Sequence, residues 1–184
     1  MASRRFHYER AFEHYLRSNA VAYVAVDEAK RALSPPGESD PQTGADRQAR
    51  AKSAVKLKSF DFVVYSQTGR NLLVDVKGRK HSGKTGRAFQ NWVTRDDVRG
   101  LERWAEIFGE GFEPAFAFLF WCEAQPPDAL FHEVFAYADR WYAVLAARLS
   151  EYRPLMRDRS AKWDTVSIPA AGFRNIARPL QELL

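Results

Sequence analysis

Asp75 and Lys77 stand two residues apart in an otherwise apolar run, NLLVDVK. In an extended strand, side chains at i and i+2 share a face, so a carboxylate and an ammonium would project there together. The preceding apolar run, SFDFVVY (59–65), carries Asp61, and the turn sequence SQTG separates the two runs. If the chain turns through Gln67-Thr68-Gly69, Ser66 pairs with Arg70 and Asp61 falls opposite Asp75. Gly69 would then supply the left-handed residue of the common three-residue hairpin loop. A two-residue loop would send Asp61 to the other face. Two neighbouring carboxylates in apolar strands are costly unless a cation joins them. Mg²⁺ or Mn²⁺, held by Asp61, Asp75 and the backbone carbonyl of Val76, answers that need. Such an ion polarises a phosphate ester and acidifies water, while Lys77 can orient that water or offset charge on the phosphorane. The plainer alternative is a structural ion pair of Lys77 with Asp75 or Asp61.

A second pattern overlaps the first. Gly78 to Thr85 (GRKHSGKT) fits the phosphate-loop pattern G-x-x-x-x-G-K-[ST]. That motif needs a helix starting at Lys84-Thr85, whose N-terminus would face the phosphates. Here Gly86 follows, and the next helix-start signal comes only at Thr94, with Asp97 at the capping-box spacing. The feeding strand is also charged. A Gly/Lys-rich surface loop explains the match better than a nucleotide cradle.

The elements that must position these groups are readable from periodicity. Tyr8, Ala11, Phe12, Tyr15 and Leu16 form one stripe of a helix over residues 4–17, which brings Glu9 and Glu13 along its side. Either acid can reach over a sheet edge; the alternative for both is a solvated helix face. Residues 20–26 (AVAYVAV) read as a short strand, 55–65 and 71–76 as a hairpin, and 114–121 (PAFAFLFW) as a strand buried on both faces. Between Thr94 and Gly109 a helix presents Val98, Leu101, Trp104, Ala105 and Phe108. Two more strands are expected at 131–137 and 141–145, then a short helix, a strand at 163–168 and a final helix. Residues 34–54, with three prolines and two glycines in 34–51, read as a flexible loop.

A hydrophobic fraction of 46% and an aromatic fraction of 14% argue for a packed domain rather than a disordered chain. The longest apolar run is too short to cross a membrane, and the single cysteine, Cys122, suits a reducing, cytoplasmic setting. The formal charge of +5 is modest, but its distribution is not even. Residues 47–58 and 77–87 hold ten of the 28 basic side chains and no acid. Such a cluster is the footprint of a nucleic-acid backbone, with Arg79, Lys80, Lys84 and Arg87 as phosphate contacts; two solvated loops are the alternative. Trp92 is a base-stacking candidate. Trp104, Trp121, Trp141 and Trp163 fit core positions. His7 and His14 lack a partner at metal-ligand spacing and read as hydrogen-bonded or surface residues.

Glu9-Arg10 on a first helix, the strand AVAYVAV, a polar loop, SFDFVVYSQTGRNLLVDVK, a helix and an apolar strand resemble the PD-(D/E)XK nuclease superfamily over residues 5–123. The likeness is greatest to its Holliday-junction-resolvase-like branch. More narrowly, His7 to Glu13 (HYERAFE) is similar to the name motif of the bacterial HYExAFE family. The resemblance implies an α/β, restriction-endonuclease-like α-β-β-β-α-β core with a mixed central sheet, here residues 1–138, and a C-terminal α/β extension, residues 139–184. It implies Glu9, Asp61 and Asp75 as metal-site acids, Lys77 as the catalytic lysine, and Gln90 as an additional polar residue near the substrate. The implied activity is Mg²⁺-dependent hydrolysis of DNA, branched or otherwise structured; the alternative is an inactive nucleic-acid-binding domain of the same fold. Phe60 stands where the family's proline is expected. The extension is assigned to substrate contact or to oligomerisation, as in a homodimer.

Overall fold

The computed structural model describes residues 3–26, 58–81, 89–123 and 133–184. The expected 34–54 loop, Lys84 and Arg87 lie outside these residues. Helix α1 (Ser3–Ser18) precedes strands β1 (Tyr23–Ala25), β2 (Phe62–Val64) and β3 (Asn71–His81). Strand β4 (Val93–Thr94) leads into α2 (Arg95–Phe108), followed by β5 (Phe112–Cys122), β6 (Glu133–Tyr137) and β7 (Arg140–Arg148). The chain closes with α3 (Leu149–Leu155), β8 (Arg157–Ser160), β9 (Thr165–Ser167), α4 (Ala170–Ile176) and a 3₁₀ turn at Leu180–Leu183.

Six strands form one mixed sheet in the order β1-β2-β3-β5-β7-β6, in which β3 and β5 are parallel and the remaining pairs antiparallel. The turn Ala138–Asp139 joins β6 to β7 within this sheet, and residues 149–184 pack against it. A small sheet, β4-β9-β8, lies beside it. Alternation along the strands builds two cores. On one face Leu72, Val74, Ala115, Ala117 and Leu119 meet Phe12, Tyr15 and Leu16 of α1. On the other, Leu73, Phe116, Phe118 and Phe120 pack with Val98 and Leu101 of α2 and Tyr152 of α3. The small alanines on one face of β5 leave room for the bulky α1 stripe, and the phenylalanines fill the opposite side. Each fully buried aromatic or aliphatic side chain contributes on the order of 1.5–3 kcal/mol.

Thr94 caps α2 as its sequence implies. Its hydroxyl accepts from Asp97 N–H at 3.1 Å, and its own N–H donates to Asp97 Oδ2 at 2.7 Å. Gly109 and Gly111 end the helix with φ of 73° and 93°. Among the described residues no helix is long and apolar enough to cross a membrane.

Three elements differ from expectation, and each difference shapes the site. The hairpin register is the expected one, with Phe62 opposite Val74 and Val64 opposite Leu72. The turn that sets it is wider than three residues, however, and Gly69 is not left-handed. Ser66 organises the turn instead: its hydroxyl accepts the N–H groups of Gly69 (2.8 Å) and Thr68 (3.2 Å), and its own N–H donates to Asn71 Oδ1 at 3.1 Å. Strand β2 begins only at Phe62 because residues 58–60 are drawn toward α2. Phe60 meets Trp104 and Phe108 edge-on, and Trp104 Nε1–H donates to the Lys58 carbonyl at 2.9 Å. Strand β3 runs on to His81, paired with β5 throughout. Gly78, Arg79, Lys80 and His81 are therefore strand, not the opening of a phosphate loop.

Candidate active site

Because β2 stops short while β3 continues, the edge of β3 from Val76 onward faces a cleft instead of a neighbouring strand. The cleft encloses about 330 Å³. Tyr8 and Glu9 of α1 line one side, the cap residue Thr94 and Asp97 of α2 the other, with Val76, Lys77, Gly78 and Arg79 as the floor and Lys58 and Trp92 at the rim. The Tyr8 ring lies flat against Gly78, where a Cβ of any other residue would overlap the ring carbons. That close approach seats α1 on the sheet and brings Glu9 to the cleft.

The two carboxylates are neighbours, although the paired register ends at Phe62 and Val74 and does not extend to them. Asp61 lies just before β2, one residue out of the ladder register, with its N–H donating to the Val74 carbonyl at 2.9 Å. Its Oδ2 accepts the Val76 N–H at 2.7 Å. In a strand the N–H and C=O of one residue point to the same edge, so the Val76 carbonyl also faces the side where β2 is missing. Asp75 is 6% exposed and Lys77 7%. Lys77 Nζ bonds both oxygens of Asp75, at 2.8 and 2.7 Å, and lies 3.0 Å from Asp97 Oδ1. Lys58 reaches the same Asp97 oxygen.

Electrostatics divides the three acids. Burial pushes Asp61 up to about 6, opposed by the bond from Val76 N–H and reinforced by the charge of Glu9. Burial likewise raises Asp75 to about 7, with Lys77 opposing and the charges of Asp61 and Asp97 adding to the rise. Asp97 is buried too, but Lys77, Lys58 and the Thr94 N–H outweigh that penalty and hold it at about 2. A pair of carboxyls kept above the ordinary range next to one that is firmly ionised is the pattern of a site short of positive charge.

The donors on this edge are all hard oxygens, the chemistry that Mg²⁺ or Mn²⁺ prefers, and a cation between Asp61 and Asp75 would offset the cost of burying them. Among the described residues no group of three His, Cys, Asp or Glu side chains is gathered to hold a metal. The Lys77 ammonium stands at Asp75 in the place of positive charge.

The other candidates separate. Arg79 turns inward, donating to the carbonyls of Gly78 (2.7 Å) and Trp92, with its guanidinium carbon 3.8 Å from the Trp92 ring centroid. Burial lowers it to about 10. Lys80 is exposed and pairs with Glu123 at 2.6 Å. Gln90 does not line the cleft; it borders a second cavity of about 280 Å³ that shares Trp92 with the first. Glu13 is turned away from the cleft, bonded to Arg17 (2.6 Å) and to the Tyr23 hydroxyl (2.8 Å). His7 Nδ1 lies 3.0 Å from the Tyr142 hydroxyl and His14 Nε2 3.4 Å from Ser18 Oγ, so neither is in the site. Two tryptophans expected in the core are not there: Trp163 is 68% exposed and Trp141 37%. Asp97 was legible only as a helix cap, and its pairing with Lys77 is a tertiary contact that spacing does not reveal.

The chain is similar to the solved structure of Hjc, a Holliday junction resolvase from the archaeal hyperthermophile Archaeoglobus fulgidus. The TM-score is 0.50 at 13% identity, covering 97% of this chain and 98% of that one. This chain has the resolvase-type fold. At that identity the likeness speaks for the fold alone. No family model and no curated protein matches the chain, so the HYExAFE resemblance rests on residues 7–13 themselves. Within the resolvase-type fold, Glu9 and Lys77 line the cleft, Asp75 pairs with Lys77, and Asp61 accepts the Val76 N–H beside it.

Proposed function

We propose that the chain is a metal-dependent endonuclease hydrolysing phosphodiester bonds of branched or otherwise structured DNA. One observation carries this reading. Asp61 accepts the Val76 N–H and interacts with Asp75, which holds Lys77, next to a cleft lined by Lys77 and by Glu9 of α1. Asp61, Asp75, Glu9 and the Val76 carbonyl would hold Mg²⁺ or Mn²⁺, which supplies an acidified water and neutralises charge on the scissile phosphate. Lys77, released from Asp75 by that exchange of positive charge, is free to orient the water or meet the phosphorane. Lys80, with Lys84 and Arg87 of the basic run, would hold flanking phosphates; Arg79, expected to do the same, would instead brace Trp92, and Trp92 and Gln90 would border the substrate. A cytoplasmic setting, suggested by the single buried Cys122, and a homodimeric state belong to the same proposal.

A second reading is a binding domain that keeps the fold without the chemistry. It is favoured by Lys77 occupying both oxygens of Asp75 and by the absence, among the described residues, of a gathered three-acid set. Cleavage of linear, nicked and four-way DNA in Mg²⁺ or Mn²⁺ separates the two. Cutting by the wild type that is lost in folded Asp75→Asn and Glu9→Gln proteins supports the nuclease. Salt-sensitive binding with no product on any substrate supports the binding domain.

A further inference from the structure

We propose that the β8–β9 hairpin is a substrate-contacting arm whose Trp163 stacks on an unpaired base next to the strand held in the cleft. This rests on the nuclease reading above and deepens it, because it assigns the recognition of unstacked DNA to particular residues.

Trp163 is the most exposed large apolar side chain among the described residues, at 68%. A single exposed tryptophan is unremarkable on its own. Its surroundings are not neutral. The two acids of the hairpin are both engaged by the start of α2: Asp158 pairs with Arg95, and Asp164 lies 3.4 Å from both Arg95 and Arg99. Arg157 and Lys162, both exposed, have no acidic partner among the described residues, so the outer side of the hairpin is cationic. Lys162 Nζ sits 5.5 Å from the Trp163 ring centroid. An aromatic ring flanked by unengaged cations is what binds single-stranded nucleic acid: the cations meet phosphates and the ring stacks on a base.

The hairpin is also fixed to the cleft. Strand β9 pairs with β4, so Thr165 lies opposite Thr94, which lines the cleft. Arg95 N–H donates to the Asp164 carbonyl at 2.9 Å, anchoring the tip at the N-terminus of α2. Asp164 adopts φ of 43°, a left-handed conformation that aspartate tolerates, and closes a tight turn with its N–H 3.3 Å from the Ala161 carbonyl. On the inner side, the Arg159 guanidinium carbon lies 5.1 Å from the Trp92 ring centroid. Trp92 borders both cavities, and Arg159 and Ser167 line the second, so the two strands of the hairpin continue the wall of the cleft beyond Trp92.

Binding of the full chain to three fluorescein-labelled DNAs, in EDTA to prevent cutting, tests this by anisotropy: a blunt duplex, a fork with unpaired arms, and a single strand. Trp163→Ala should weaken binding to the fork and single strand roughly 5- to 100-fold and to the duplex less than about 2-fold, as loss of one stacked base implies. Trp163→Phe should recover most of the affinity. Because the side chain is exposed, the melting temperature of both variants should match the wild type. Unchanged fork binding by Trp163→Ala, or equal losses on all three DNAs, overturns the arm. Parallel cleavage assays keep the two proposals apart. Normal cutting with unchanged fork binding sinks the arm alone, whereas a selective binding loss in a protein that cuts nothing sinks the nuclease reading alone.

Discussion

Lys77 Nζ lies 3.0 Å from Asp97 Oδ1, so the residue that caps α2 is also an ion-pair partner of the lysine in the Asp-x-Lys triplet. Both side chains are below 10% exposed. Asp97 thereby joins the helix to the floor of the cleft and holds the ammonium between two carboxylates. Removing it strips the cap and leaves Lys77 with one less counter-charge in a buried site. Asp97→Ala should destabilise the chain by roughly 3–5 kcal/mol, the range for breaking a buried pair. Denaturant unfolding at neutral pH measures this, and a loss under about 1 kcal/mol would show that Asp97 is merely a surface-like cap.

Asp61 and Asp75 make the metal-free chain sensitive to pH. An acid whose folded pKa exceeds its unfolded value of 3.8 holds more protons in the folded state between the two. The stability linked to this pair is therefore full below pH 3.8 and is lost as pH rises through about 6 and about 7. Asp97, held at about 2, works in the opposite sense: its contribution is present above 3.8 and lost as pH falls through 2, so it is constant across the neutral range. In EDTA the melting temperature should drop by about 3 °C or more between pH 5 and pH 8. Asp61→Asn with Asp75→Asn should flatten the slope. Mg²⁺ should raise the melting temperature more at pH 8 than at pH 5; equal or absent shifts would count against a metal on this pair.

The Tyr8–Gly78 contact yields a double-mutant test. Gly78→Ala forces the Tyr8 ring off β3, at a cost of roughly 1–3 kcal/mol for overpacking. In a Tyr8→Ala background the same substitution should cost much less, because the ring it strikes is gone. Additive losses would mean that Gly78 is needed for something other than seating α1.

The phosphate-loop pattern predicts nucleotide binding, and the fold predicts none. With Gly78 to His81 paired in β3, titration calorimetry with ATP and Mg²⁺ should show no saturable site, and Lys84→Ala should change nothing. Stoichiometric ATP binding lost in Lys84→Ala would reverse that conclusion.

Local signals carried much of this structure. The apolar stripe of α1, the Thr94–Asp97 cap, the glycines at 109 and 111 and the doubly buried β5 all follow from periodicity and cap chemistry. The register of β2 on β3 was legible although the turn behind it was not: Ser66 shapes the loop by hydrogen bonding, where a left-handed Gly69 was expected, and Asp61 slips out of that register just before β2. What spacing could not show was set by contacts between distant segments. Phe60 leaves the sheet because Trp104 and Phe108 await it on α2, and Lys77 has a second acid because α2 docks there. Trp163 has the apolar character of a core residue and lies outside the core because it sits in the tight turn joining β8 to β9, a placement that propensity does not encode.

The parallel pairing of β3 with β5 has a kinetic consequence. Asn71 pairs with Phe112 and His81 with Cys122, so the strand bearing Asp75 and Lys77 finds its inner neighbour only after a chain closure of roughly forty residues. The β2–β3 hairpin, by contrast, closes locally. Asp61 and Asp75 can thus meet early, while the docking of α2 that brings Asp97 to Lys77 belongs to the slow, non-local step of folding. A partly folded chain would hold the two carboxylates together before the helix that completes their surroundings has arrived.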